Sequence, residues 1–282
     1  MPLPPDFDLA DFVSRTLAED LGQGGDVTSA ATIAPDARFS ADMAARQRIV
    51  VAGLEIAQAF FRALDAGSHI ELLVTDGDTV EHGGILMRIE GNARAMLAAE
   101  RSSLNTLQHL SGIATLTRSY ADSIAGTGTV LLDTRKTIPG LRLLEKYAAL
   151  MGGAENHRMR LDDGVLIKDN HVAVCGGVAE AVRRAKAANT GLAVQVEVDR
   201  IVQIEPAIDA GADRLLLDNM PPPVLREAVA LVGGRVPLEA SGGVTLETVG
   251  SIAETGVDYI SVGRITQSAP SVDIGLDYAL SR

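Results

Sequence analysis

Arg135 and Lys136 follow, after Thr134, on the apolar run 129-TVLLD-133 and precede Pro139-Gly140. In a chain of formal net charge -12 such a pair needs a reason. Arg presents a planar fork that matches carboxylate or phosphate, and Lys a compact point charge. The run before them is too short to read as a helix and reads as a buried strand. Beyond Pro139, Leu141, Leu144, Tyr147, Ala148 and Met151 recur at close to helical spacing, and Gly152 offers a stop. Thr134, Arg135 and Lys136 therefore fall in a strand-to-helix loop, where parallel α/β folds bind their ligands.

The same reading applies to six further strands, Glu155–His157, Val165–Lys168, Ala193–Val198, Arg214–Asp218, Val236–Ala240 and Tyr259–Val262. Their C-terminal ends carry His157 with Arg158, then Lys168, Glu197, Asp218, Ser241 with Gly242 and Gly243, and Val262-Gly263-Arg264. Cations come first, carboxylates next and glycines last. The five groups Arg135, Lys136, His157, Arg158 and Lys168 exceed what one phosphate needs and imply a second polyanionic ligand. The turns 240-ASGGVT-245 and 262-VGR-264 present backbone N–H groups suited to a phosphate. Glu197 and Asp218 are open to two uses, as buried partners for the cations or as holders of Mg2+ and ribose hydroxyls. His69 and His82 lie in turn-rich surroundings, His109 on a helix face, and His171 in a loop that it orients.

The elements that must position these groups fall into two parts. The first hundred residues read as α+β: a helix over 8–21 capped by Asp8 and ended by Gly22, a loop over 22–29, strands near 38–45 and 48–52, a helix from Leu54 to Asp65, and strands over 70–74 and 85–90 flanking the turns of 76–84. From Ala93 to Ile124 the pattern is helical, with Gly112 read as a break between two helices. Strand–helix alternation follows, with the echo 210-AGADRLLLDN-219 and 254-ETGVDYISVG-263. That rhythm predicts parallel βα units. About 135 residues is short for a complete eightfold barrel, which takes ~250, so an incomplete barrel of six or seven strands is expected, with an open doubly wound sheet as the alternative.

Composition bounds the rest. The chain has 282 residues, 46% of them hydrophobic, and a single cysteine, Cys175, which excludes an internal disulfide and speaks against a cysteine-rich zinc site. The acidic balance, 3% aromatic content and absence of Trp weigh against nucleic acid. No apolar run has the length of a membrane span, and 1-MPLPPDFDLADF-12 lacks the basic-then-apolar pattern of an export signal, so a cytoplasmic location is expected.

The chain resembles the quinolinate phosphoribosyltransferase family in 19-EDLGQGGDVTS-29, 100-ERSSLN-105, 110-LSGIAT-115, 133-DTRKTIPGLRLLEKYA-148, 156-NHR-158, 165-VLIKDNH-171, 197-EV-198, 216-LLDN-219, 239-EASGG-243 and 261-SVG-263. The resemblance implies an N-terminal open α/β sandwich over residues 1–110, an incomplete TIM-like α/β barrel over 111–267, and a tail, 268–282, that returns to the first domain. It implies the conversion of quinolinate and phosphoribosyl pyrophosphate to nicotinate mononucleotide, pyrophosphate and carbon dioxide, with Mg2+. It also implies a homodimer in which Arg101 reaches the neighbouring subunit's site. Lys136, Lys168, Glu197 and Asp218 are then the catalytic set, with Glu197 and Asp218 toward the metal. Arg101, Thr134, Arg135, His157, Arg158, Ser241, Gly242, Gly243, Val262, Gly263 and Arg264 complete the substrate contacts. Where the family usually has Gly two residues after His-Arg, this chain has Arg160, a strained choice if the position requires positive φ. A nicotinate-using transferase would need fewer cations. A relative found near molybdate-transport functions matches less in 165-VLIKDNH-171, and a non-catalytic sensor would not need Lys168, Glu197 and Asp218 together.

Overall fold

The structure, a computed structural model, describes residues 2–278. The chain divides into two units, one made of the residues up to Leu116, Leu143–Gly152 and those from Ser268, the other of Thr117–Arg142 and Gly153–Gln267.

In the first unit α1 (Leu9–Leu21) starts where Asp8 accepts a hydrogen bond from the Asp11 N–H and stops at Gly22, as the residue pattern implies. The segment read as a plain loop contains a second helix, α2 (Val27–Thr32), whose start is fixed by Asp26 accepting from the Ser29 N–H. Six residues are too few for periodicity to reveal, and only the Asp-x-x-Ser cap marks them. Next come β1 (Arg38–Ala45), β2 (Ile49–Val50), α3 (Leu54–Leu64), β3 (His69–Leu72), β4 (Thr79–Val80) and β5 (Ile85–Asn92). The main sheet here is antiparallel, and β1 and β5 pair so that Ala41 faces Ile89 and Met43 faces Met87, all buried. The alternate positions Asp42, Arg88 and Glu71 form an ion-pair ladder on the other face. One covered face and one charged face make this sandwich open.

The helix α4 (Ala93–Ser123) runs through Gly112 without a break. The glycine is there for space, because a Cβ on it would collide with the backbone carbonyl of Pro270. That carbonyl belongs to the returning C-terminal segment, which ends in β12 (Ile274–Tyr278), paired antiparallel with β1 from Ile274↔Ala45 to Tyr278↔Ala41. Residues 279–282 of the expected tail lie outside the described residues.

The second unit contributes β6 (Val130–Leu132), followed by α5 (Arg142–Gly152), whose residues from Leu143 belong to the first unit. Then come β7 (Val165–Ile167), α6 (Asp169–Cys175), α7 (Val178–Ala187), β8 (Val194–Val198), α8 (Ile204–Asp209), β9 (Arg214–Asp218), α9 (Pro222–Val232), β10 (Leu238–Ser241), α10 (Leu246–Ala253), β11 (Tyr259–Ser261) and α11 (Arg264–Gln267). The six strands are parallel in the order β6-β11-β10-β9-β8-β7. The expected strand Glu155–His157 is reduced to one parallel bridge, Leu132↔Glu155. The ladder goes no further because the Asp133 carboxylate, not a backbone carbonyl, accepts from the His157 N–H at 2.8 Å. No pairing joins Glu155 to β7 among the described residues, so the wall is open there and the barrel is incomplete, as expected.

Candidate active site

Parallel register brings the strand ends together. Ile167 pairs with Val196, Glu197 with Leu216, and Asp218 with Ser241, so Lys168, Glu197, Asp218 and Ser241 emerge from four consecutive strands at one end of the barrel. Thr134, Arg135 and Lys136 leave β6 at the same end, beside Ser261 and Val262, whose N–H donates to the Leu132 carbonyl.

Lys168 Nζ lies 3.5 Å from Glu197 Oε2. Burial pushes the Glu197 carboxyl above its ordinary value, Lys168 pulls it back, and the nearby Asp218 pushes it further up. Two carboxylates that repel each other at the rim form a place where a cation is favoured. Among the described residues no group of three or more His, Cys, Asp or Glu side chains forms a ready-made metal cage. Mg2+ is usually held by one or two carboxylates with substrate phosphates and water, so this donor set fits it.

Asn219 is one of two non-glycine residues with positive φ among those described, at 55°. Its side-chain amide donates to Asp218 Oδ2 at 2.6 Å, and its N–H donates to the Ser241 carbonyl at 2.9 Å. Gly242 leaves the room that the Asn219 amide occupies. A residue held in this sparse conformation beside a candidate metal-binding carboxylate is a positional device. His171 does orient its segment, since its Nδ1 accepts from the Lys168 N–H at 3.0 Å.

On the cationic side, Arg158 Nη1 donates to the Gly164 carbonyl at 2.8 Å. Burial lowers the guanidinium's pKa, and the like charge of Arg135 lowers it further. Arg135 Nε is buried and meets no hydrogen-bond partner among the described residues. The Lys136 N–H donates to Thr134 Oγ1 at 3.1 Å, and the Lys136 carbonyl accepts from Thr266 Oγ1 at 2.7 Å.

His157 is largely buried, and its ring contacts the fully buried Glu239, Nε2 to Oε2, at 3.5 Å. Burial opposes ionisation of Glu239. The neighbouring His157, the Gln195 amide, which donates at 2.8 Å, and Ser261 nevertheless hold the carboxyl below the usual carboxylate range. Glu239 and Asn219 were not among the expected site residues. A charge between Leu238 and Ala240, in a strand covered on both faces, was the signal for the first.

Not every expected residue joins the cluster. Arg264 is exposed at the start of α11, where it interacts electrostatically with Glu247 and Tyr120. Arg101 lies in the first unit, exposed on α4. Arg160 is exposed, pairs with Asp162 at 3.0 Å, and is not among the positive-φ residues, so the departure from Gly there is unstrained.

An incomplete parallel barrel whose strand ends carry guanidinium and ammonium groups together with two neighbouring carboxylates, Lys168 paired with Glu197, defines an enzyme class that handles polyanions. Residues 26–111 match the family described as quinolinate phosphoribosyl transferase, N-terminal domain, and residues 113–277 match its C-terminal domain. The chain belongs to the quinolinate phosphoribosyltransferase family. It is 41% identical over 294 residues to a Nicotiana tabacum protein named quinolinate phosphoribosyltransferase (decarboxylating) 2b, mitochondrial, covering 98% of this chain and 83% of that one. It is 41% identical over 274 residues to a Bacillus subtilis protein named probable nicotinate-nucleotide pyrophosphorylase (carboxylating), covering 97% and 94%. The crystal structure of nicotinate-nucleotide pyrophosphorylase from Ehrlichia chaffeensis superposes with TM-score 0.93 at 39% identity, covering 97% of this chain and 100% of that one.

Proposed function

We propose that the barrel mouth is where this chain joins quinolinate to the ribose of phosphoribosyl pyrophosphate, yielding nicotinate mononucleotide, pyrophosphate and carbon dioxide, a step of NAD biosynthesis. The observation that carries the reading is the pair Arg135 and Arg158: burial and the like charge of Arg135 lower the Arg158 guanidinium's pKa, and Arg135 Nε is buried with no hydrogen-bond partner among the described residues. Such a pair is completed by an anion with two carboxylates.

In this reading Arg135, Arg158 and Lys168 take the carboxylates of quinolinate, with Arg101 supplied by the partner of a homodimer. Lys136 and Lys168 meet the pyrophosphate. Thr134 braces their loop through its bond from the Lys136 N–H. Ser241, Gly242, Gly243, Val262 and Gly263 form the cradle for the 5′-phosphate, a chemistry that suits N–H groups at glycine-rich turns. Arg264 stands at its edge. Glu197 and Asp218 would hold Mg2+ and face the ribose hydroxyls. Bound there, Mg2+ supplies charge neutralisation for the leaving pyrophosphate.

The bond from the anomeric carbon to pyrophosphate breaks as the pyridine nitrogen adds, through an oxocarbenium-like transition state. The protein's part is positioning and charge stabilisation. The ribosylated ring nitrogen is cationic, so it stabilises the carbanion left when the adjacent carboxylate departs as carbon dioxide, and a proton from water takes its place. No protein nucleophile is needed. A cytoplasmic location belongs to the same reading, since a lone cysteine suits a reducing compartment. The tobacco relative, by its name, is mitochondrial. No helix among the described residues is long and apolar enough to cross a membrane.

The test is an end-point assay with phosphoribosyl pyrophosphate, Mg2+ and either quinolinate or nicotinate, following nicotinate mononucleotide and carbon dioxide together. Equal product and carbon dioxide from quinolinate alone is expected. Product from nicotinate without carbon dioxide, or none from either, would remove the substrate assignment.

A further inference from the structure

Side chains alternate across a strand, so Glu239 and Ser241 share one face of β10, and Tyr259 and Ser261 share one face of β11. Glu239 pairs in register with Tyr259 and Ala240 with Ile260, which sets Ser241 beside Ser261 one step further on. There the two hydroxyls meet, Ser261 Oγ donating to Ser241 Oγ at 3.0 Å. Below them stands the buried Glu239 carboxylate. Its Oε2 is well attended: Gln195 Nε2 donates to it at 2.8 Å, and His157 Nε2 and Arg214 Nη1 lie 3.5 and 3.6 Å away. Its Oε1 is buried and meets no hydrogen-bond partner among the described residues.

A hydroxyl has one proton to give. The buried Ser261 stands between two acceptors, Ser241 Oγ and the Glu239 carboxylate, which its proximity helps to hold in the ionised form. A carboxylate is the stronger acceptor of the two. The two serines are nevertheless oriented so that Ser261 donates to Ser241. A buried carboxylate oxygen left unmet is costly and calls for a reason. The other serine supplies one. Ser241 is only half-buried, at the end of β10, and its carbonyl is pinned by the Asn219 N–H at 2.9 Å. It leads into Gly242 and Gly243, whose φ values are 91° and 61°. With one lone pair of Ser241 Oγ filled from the buried side, its own O–H is left to turn away from β11.

We infer that Ser261 is a positioning residue: by donating to Ser241 Oγ from the barrel side, it turns the Ser241 O–H outward, as a donor to a phosphate oxygen beside the N–H groups of the glycine turn. A donor set in place before the anion arrives loses less freedom on binding than one that must first be turned. The opposite direction, Ser241 to Ser261 to Glu239, would satisfy Oε1 and keep the Ser241 proton inside. The inference rests on the reading of residues 241–243 as a phosphate cradle. It adds to that cradle a residue behind it, which acts on the phosphate only through Ser241.

The experiment is calorimetric titration of the full chain with two probes, nicotinate mononucleotide and its riboside, which lacks the 5′-phosphate. The variants are S241A, S261A, the double variant, S261T, which keeps the hydroxyl, and S261C, which keeps the shape but donates weakly. S241A and S261A are each expected to weaken the mononucleotide about three- to tenfold and to leave the riboside unchanged. The double variant should lose no more than either single one, because both act through one bond. S261T should bind close to wild type. S261C should follow S261A, and it decides the matter if S261A melts too low to titrate. In turnover, the KM for phosphoribosyl pyrophosphate should rise in S261A with kcat nearly constant. Unchanged or tighter mononucleotide binding in S261A would overturn the inference, since it marks the inward direction. Additive losses, or equal losses with both probes, would also overturn it, by making Ser261 a packing residue. If the wild type binds the mononucleotide no better than the riboside, the cradle reading falls and takes the inference with it. A phosphate preference that S241A and S261A leave intact removes the inference alone.

Discussion

Lys136 lies across Gly263: a Cβ on that glycine would come within 2.7 Å of Lys136 Cδ and 3.4 Å of its Nζ. The absent side chain at Gly263 is therefore the channel through which the Lys136 ammonium is delivered. Gly263→Ala is expected to move the lysine stem, which is flexible, and so to leave the melting temperature close to wild type. The kcat/KM for phosphoribosyl pyrophosphate should fall on the order of tenfold or more, the scale at which a misplaced group costs catalysis. Steady-state kinetics with a melting curve on the same sample separate the two effects, and a large loss of stability would mean that the glycine serves the fold.

Glu197 gives a prediction in pH. Its carboxyl is raised in the folded chain, by burial first and by Asp218 as well. A raised group stabilises the fold fully below its unfolded value, and that contribution is lost as pH rises through the folded value. The wild type thus loses stability from the ordinary carboxylate range upward, about pH 4 and above. Glu197→Gln, which cannot ionise, should melt higher than wild type at pH 7 without Mg2+, and the difference should shrink toward about pH 4. The same variant should be close to inactive. A variant that melts lower at every pH would contradict the assignment.

Gly112→Ala should invert a general rule. Replacing Gly by Ala inside a helix ordinarily adds about 1 kcal/mol of stability. Here the added methyl meets the Pro270 carbonyl, a backbone atom with no freedom to step aside. Denaturant titration should show a loss of on the order of 2 kcal/mol, the usual penalty of overpacking. A gain would mean that the C-terminal segment yields easily.

Sharing of the site across a dimer can be tested by mixing. Arg101→Ala and Arg135→Ala should each lower turnover by at least about a hundredfold. Combined after subunit exchange, they should recover up to a quarter of wild-type activity, since one hybrid site carries both arginines. No recovery despite demonstrated exchange would count against a shared site.

The parts of this molecule that could be read from residue order were those governed by local rules. Asp8 and Gly22 bracket α1 because caps act over a few residues. The C-terminal ends of parallel strands converge, so Lys168, Glu197, Asp218 and Ser241 could be gathered before any coordinates. What escaped depended on partners distant in sequence. Gly112 looked like a helix break because nothing near it explains a glycine, and its reason lies at Pro270. Glu239 entered only as the first letter of 239-EASGG-243, although it lies against Gln195, Arg214 and His157 from three other segments. His157 was read as a candidate ligand contact beside Arg158, and the bond by which its Nδ1 accepts from the Arg158 N–H is a fact of backbone geometry that residue order does not carry.

The pairing of β12 with β1 also sets an order of assembly on the ribosome. The first unit needs Ile274–Tyr278 to finish its main sheet, although its other sheet strands are among the earliest residues made. The barrel unit ends at Gln267 and so has all its residues while the sandwich still lacks an outer strand. During vectorial synthesis the nascent sandwich therefore waits with an unpaired β1 edge, the kind of edge that recruits other chains. The interval is brief in a growing chain and permanent in one truncated before Ile274. Termination between Gln267 and Ile274 would release a finished barrel joined to a sandwich with an open, adhesive edge.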